Sequence, residues 1–227
     1  MKTIYSIYKS FLNNINEKSY RIFDAINKDS TDVFKHCEVN INKNSNILII
    51  YGENCTGKSL FANILETIAQ DKEAVVRSAS MKNRTRAGVQ RAIVLGDESR
   101  QSTGETSASF SLKSLKTTLK EKNLAISILD EPDIGLSDYY SGAFGQLIAE
   151  ISNQYNQKQG LVLISHSKQL MKYFLENNTQ KISTFGVNTD LSFEDWIKRE
   201  DIATIDELNN LVKMGHEKEL AISKAIK

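Results

Sequence analysis

The sequence predicts an α/β fold, a largely parallel sheet flanked by helices. Three observations predict it. The runs NILIIYG (46–52), LAISILD (124–130) and GLVLIS (160–165) are almost wholly apolar, as strands buried on both faces must be. Each is followed by a stretch with apolar residues at helical spacing. The alternation of the two kinds of segment is the pattern of repeated strand–helix–strand units.

The elements follow in order. The first third reads as helix, then strand. Tyr20, Phe23 and Ile26 fit a short helical face, and DSTDVF supplies a helix-cap type of turn. After the strand at 46–52, Ser59 to Gln70 reads as a helix with Phe61, Ile64, Leu65 and Ile68 on one face. AVV near 75 and AIVLG near 93 are candidate strands. Residues 106–122 read as a helix with a Leu112, Leu115, Leu119 stripe. The strand at 124–130 precedes a helix marked by Tyr140, Phe144, Leu147, Ile148 and Ile151. The strand at 160–165 precedes a helix through Leu170 and Phe174. Beyond Gly186 the chain is polar and reads as helical, with Trp196 as its one large anchor. These patterns divide the chain into a domain over 1–186 and a tail over 187–227. With a single proline, Pro132, glycine and polar residues do nearly all the chain breaking.

The chain has 227 residues, enough for one substantial core and marginal for two. Its net charge of +1 names no partner, so only local charge can. No apolar run approaches the ~20 residues that span a bilayer. The N-terminal MKTIYSIYKSFLNN lacks the apolar segment and small-residue cleavage site of a leader. Cys37 and Cys55 form no metal or disulfide pattern. The expectation is a cytoplasmic protein.

Three segments carry chemistry. GENCTGKS, comprising Gly52, Glu53, Asn54, Cys55, Thr56, Gly57, Lys58 and Ser59, matches G-x-x-x-x-G-K-S between a strand and a helix. Such a loop turns backbone N–H groups around phosphates at a positive helix end. Lys58 adds a charge at the β- and γ-phosphates, and the Ser59 hydroxyl can ligate Mg²⁺. ISILDEP ends a buried strand in Asp130 and Glu131, at the sheet edge where ligands bind. Asp130 suits Mg²⁺, and Glu131 suits a general base acting on water. LISHS puts His166 at a third strand end, where it can sense or stabilise a γ-phosphate.

In order and rough spacing, Lys58, the Asp130–Glu131 pair and His166 resemble the P-loop ATPases of the ATP-binding-cassette type. The resemblance covers roughly residues 45–190. It gives a meaning to QSTGE (101–105), a bland turn just upstream of the acidic strand, where that family carries its signature motif. There a serine hydroxyl, bare backbone and a helix N-terminus close over the γ-phosphate held by a second subunit. Ser102, Thr103, Gly104 and Glu105 are therefore expected to contact ATP across a dimer. Ser102 or Thr103 ahead of Glu105 also reads as a helix cap. GEN in the cradle and the glutamate of STGE are similar to the chromosome-maintenance, recombination-repair and related defence branch. DEPDIGLSD resembles the stretch that leads into the contact with the opposite subunit, at Gly135 to Asp138. Three departures stand out: Cys55 for glycine, Thr103 for the first signature glycine and Gln101 for leucine. Gln90 is the candidate for the magnesium-contacting glutamine. Only residues 60–101, 42 in all, separate Ser59 from Ser102. That gap has no room for a transporter's helical subdomain or for a long coiled coil, so the chain resembles a minimal head.

The resemblance implies an enzyme that binds and hydrolyses ATP with Mg²⁺ and forms an ATP-dependent homodimer or head-to-tail assembly. It implies a conformational switch in DNA metabolism or phage–host conflict. Two other readings stay open, a transporter's ATPase subunit and an ATP-gated scaffold for a partner effector protein. Arg77, Lys82, Arg84, Arg86 and Arg91 form a basic run with no acid between Ala74 and Gly96. It could meet nucleic-acid phosphates, be a solvated loop or serve the nucleotide itself.

Overall fold

The computed structural model describes residues 3–17, 38–80 and 102–226. In chain order the described elements are α1 (Ile4–Glu17), β1 (Val39–Asn40), β2 (Ile47–Tyr51), α2 (Lys58–Asp71), β3 (Val75–Ala79) and α3 (Thr103–Leu119). Then come β4 (Ala125–Asp130), α4 (Asp138–Ser152), β5 (Gln159–Ile164), α5 (Lys168–Asn177), β6 (Ile182–Gly186), α6 (Phe193–Lys198) and α7 (Ile205–Ile226). The described strands form one six-stranded sheet in the order β1-β6-β2-β5-β4-β3. All neighbours are parallel except β1, which runs antiparallel to β6.

The sheet is covered on both faces, which explains its unbroken apolar strands. In β2, Leu48 and Ile50 join a core with Ile7 and Phe11 of α1 and Phe61 and Leu65 of α2. Ile47, Ile49 and Tyr51 face the other way, toward Phe144 and Ile148 of α4, Phe174 of α5 and Trp196 of α6. The chain leaves β2 through α2 on the first face and crosses to the far edge at β3. It returns through α3 to β4 and through α4 to β5, and α5 then carries it past β2 to β6, all on the second face. Every parallel strand therefore ends on one edge of the sheet.

Register lines those ends up. Asp130 pairs with Ile164, and Ile164 pairs with Ile50. Since β5 alone separates β2 from β4, the ends of β2 and β4 stand two strand spacings apart, about 10 Å.

Several local expectations change. In α1, Ile4, Ile7, Tyr8 and Phe11 are fully buried at i, i+3, i+4, i+7 spacing. This helix lies upstream of Tyr20, Phe23 and Ile26, which fall with DSTDVF and AIVLG outside the described residues. β6 carried no strand signal strong enough to read. On α3, Leu115 is fully buried, but Leu112 and Leu119 are only partly so. The buried face is instead rich in hydroxyls: Ser107, Ser111, Ser114 and Thr118. Ser127 of β4 explains it, because its Oγ lies 3.1 Å from that of Ser114 and 2.8 Å from Oγ1 of Thr118. On α4, Tyr140 and Leu147 point outward, while Gly142 and Gly145 are buried. A Cβ on Gly145 would lie 2.2 Å from the Leu170 carbonyl oxygen, so α4 and α5 cross at backbone contact. Among the described residues no helix is long and apolar enough to cross a membrane.

Candidate functional site

β2 delivers the chain into the GENCTGKS loop, and α2 takes it away. Two glycines make the turn possible, with φ of +142° at Gly52 and +101° at Gly57. A Cβ at Gly52 would also lie 2.5 Å from the Val187 carbonyl oxygen, so the loop starts against the stretch that leaves β6. Gly57 is the N-cap of α2, which directs that helix's first N–H groups into the loop. Cys55 stands where the resembled branch carries glycine, and it takes a glycine-like φ of +58°. Such a conformation costs a side-chain-bearing residue of order 1–3 kcal/mol.

Lys58 is 6% exposed and curls back over the loop. Its Nζ donates to the carbonyls of Gly52 at 2.9 Å and Glu53 at 2.7 Å. Burial holds its pKa below the ordinary lysine value, opposed by the charges of Glu131, Asp130 and Glu53. Thr56 Oγ1 donates to the same Glu53 carbonyl at 2.9 Å.

β4 brings the acidic pair. Asp130 is its last residue, and the Glu131 N–H donates to the Ile164 carbonyl at 2.8 Å. Glu131 itself has φ of +51°, a turn that swings its carboxylate off the strand line. Ser59, Asp130 and Glu131 line one cleft of about 210 Å³ with Ser78 and Ser80 at the end of β3. Glu131 also lines a second, wider cleft of about 590 Å³ with Asp133, Gly135, His166 and Lys168. It thus stands at the boundary of the two.

β5 places His166 beside Glu131, with Nδ1 3.2 Å from Oε1. The hydrogen bond to Glu131 raises the imidazole pKa above its ordinary value, and burial and Lys58 oppose it. Next to this pair, Ser165 Oγ donates to Asp133 at 3.0 Å, a link the sequence did not signal.

The signature-like turn lies elsewhere. Ser102 caps α3, its Oγ accepting from the Glu105 N–H at 3.3 Å, as the cap reading expects. Ser102, Thr103 and Glu105 are exposed, and none of them lines either cleft. Gly104 is buried against Gly135. A Cβ on Gly104 would lie 2.4 Å from the Gly135 carbonyl oxygen. Gly135 has φ of +81°, and Ser107 of α3 donates to the Ile134 carbonyl at 3.0 Å. The turn and the stretch after the acidic strand are therefore one packed unit, which gives Gly104 a reason to be bare within its own chain.

Gln90, Gln101 and Lys82 to Arg91 lie outside the described residues. Arg77, first of the basic run, is on β3 and paired with Glu121. Among the described residues no cluster of three or more His, Cys, Asp and Glu side chains is placed to hold a metal.

Sequence reasoning missed one set of contacts. The Glu53 carboxylate accepts from Trp196 Nε1 at 3.1 Å and lies 3.5 Å from Arg199 Nη1. The pairs are 143 and 146 positions apart, and no local pattern joins them.

No protein-family model matches the chain, and a search of curated proteins finds no match.

Proposed function

We propose that the protein binds Mg·ATP at the Gly52–Ser59 loop and hydrolyses it, with Glu131 as the general base. One observation carries this reading. A glycine-turned loop with a buried lysine, an acidic strand end and a histidine meet on one sheet edge, and Ser59, Asp130 and Glu131 share one cleft. Ser59 and Asp130 suit a hard cation, which phosphate oxygens and water would complete. When bound, Mg²⁺ neutralises charge on the phosphates.

The chain's own part is positional. Lys58 and the first N–H groups of α2 hold the phosphates. Glu131 accepts the proton of the attacking water as its oxygen bonds to the γ-phosphorus and the bond to the leaving ADP oxygen breaks. His166 orients the Glu131 carboxylate and carries charge near it. Exposed Ser102 and Glu105, outside both clefts, suit a turn that completes a second subunit's site. An ATP-dependent homodimer is part of the proposal for that reason. A role in DNA metabolism or phage–host conflict rests on the sequence resemblance alone.

The test is Mg·ATP binding and phosphate release by the parent protein, Lys58→Ala and Glu131→Gln. Lys58→Ala should lose binding. Glu131→Gln should bind ATP yet hydrolyse it at least ~100-fold slower. No binding by the parent sinks the reading. An unchanged rate in Glu131→Gln moves the base to another residue.

A further inference from the structure

We infer that Trp196 and Arg199, in the C-terminal segment, are positioning residues for the phosphate loop and act through Glu53. The inference rests on the nucleotide-binding reading above.

Glu53 is a hub. Its backbone carbonyl accepts both Lys58 Nζ and Thr56 Oγ1, at 2.7 and 2.9 Å. Its carboxylate is gripped from outside by Trp196 Nε1 and faces Arg199. A backbone shift at this residue moves one of the two carbonyls that hold the ammonium of Lys58. The side chain that pins the hub is itself fixed. Trp196 is 1% exposed, lies nearly parallel to Phe193 with an interplanar angle of 15°, and sits 5.5 Å from the ring of Tyr51. Arg199 is held by Asp201, and its carbonyl accepts from Lys168 of α5.

Gly215 of α7, in the same segment, also lies near the loop. A Cβ on Gly215 of α7 would lie 3.5 Å from Cys55 Sγ, an ordinary contact. The C-terminal segment therefore bonds the loop at Glu53 and passes close to it at Cys55. A buried indole N–H needs a partner, and here that partner is the half-exposed carboxylate of a loop residue. The contact sets the geometry of a loop whose backbone must meet phosphates closely.

The experiment uses the full chain with Trp196→Phe, Glu53→Gln, Glu53→Ala and the Trp196→Phe/Glu53→Ala double variant. Trp196→Phe keeps an aromatic ring but removes the donor together with part of the buried ring volume, and Glu53→Ala removes the same bond from the other side. Three quantities are measured: Mg·ATP affinity, kcat at saturating ATP, and the N-ethylmaleimide labelling rate of Cys55. Peptide mass spectrometry separates Cys55 from Cys37. Trp196→Phe should raise Kd about ten-fold, equivalent to about 1.4 kcal/mol, and leave kcat unchanged. Cys55, exposed in the parent, should change its labelling rate about three-fold as the loop around it shifts and alters the thiol's surroundings. The double variant should be no worse than Glu53→Ala, since both remove one bond. Unchanged affinity and labelling in Trp196→Phe, or strict additivity in the double variant, overturns the inference. If Trp196→Phe fails to fold, Glu53→Ala removes the same acceptor without touching the core and should raise Kd by a similar factor, whereas Glu53→Gln keeps an oxygen acceptor for Trp196 and reads the Arg199 pairing alone. Should the parent bind no ATP, the nucleotide reading falls and the labelling rates alone decide the coupling.

Discussion

Replacing Gly104 by alanine tests the packing of the signature-like turn. The new methyl carbon would stand 2.4 Å from the Gly135 carbonyl oxygen, 2.7 Å from its carbon and 2.9 Å from the Leu136 nitrogen. Carbon–heavy-atom contacts are comfortable near ~3.5 Å, so the two backbones must part by about 1 Å. Neither yields easily. Ser107 Oγ bonds the Ile134 carbonyl at 3.0 Å, and the Leu136 N–H bonds the Asp133 carbonyl at 2.9 Å. Overpacking of this kind costs about 1–3 kcal/mol. Alanine returns up to about 1 kcal/mol of helix propensity in a helix interior, and less at the second residue of α3. The net loss is about 1–2 kcal/mol, or roughly 2–8 °C in Tm for a chain of this size. Thermal melts followed by circular dichroism measure it. An unchanged or higher Tm would refute the argument that the turn and the Gly135 stretch pack as one unit.

Two further outcomes test the site. Ser102→Arg should leave ATP binding by the monomer near parental and abolish ATP-dependent dimerisation, with hydrolysis lower by ~10²–10³. Mixing it with Lys58→Ala should restore part of the activity, and a Ser102→Arg protein that dimerises and turns over normally would leave the turn as a helix cap only. His166 should titrate above the ordinary histidine value of about 6.5, and Glu131→Gln should bring it down. Because the folded pKa is the raised one, the His166–Glu131 pair stabilises the fold at pH below the unfolded value. That contribution fades as pH rises through the folded value. It is small for side chains 46% and 31% exposed. NMR titration of the imidazole reads this directly, and a value at or below 6.5 would count against it.

What sequence alone determined is local. NILIIY and LAISILD declare strands buried on both faces because burial leaves no polar alternation to keep. GENCTGKS declares its turn because only glycine adopts the backbone at Gly52 and Gly57 without strain. Trp196 was legible as an anchor because it is the largest apolar side chain in the tail, whereas Phe193, buried beside it, carried no such signal. The spacing of Ile4, Ile7, Tyr8 and Phe11 is equally local, one face of a helix. Tertiary structure decided what depends on pairs distant in the chain. The order of strands sets the ends of β2 and β4 about 10 Å apart, and no residue pattern encodes that order. The hydroxyl face of α3 looks solvent-exposed until Ser127 of β4 stands opposite Ser114 and Thr118. Gly104 looks bare for a ligand until Gly135 is found against it. Glu53 reads as a solvated loop acid until the fold brings Trp196 and Arg199 to it. In each case the identity of one residue is legible only when its partner is known, because packing and hydrogen bonding are properties of pairs and the sequence presents residues one at a time.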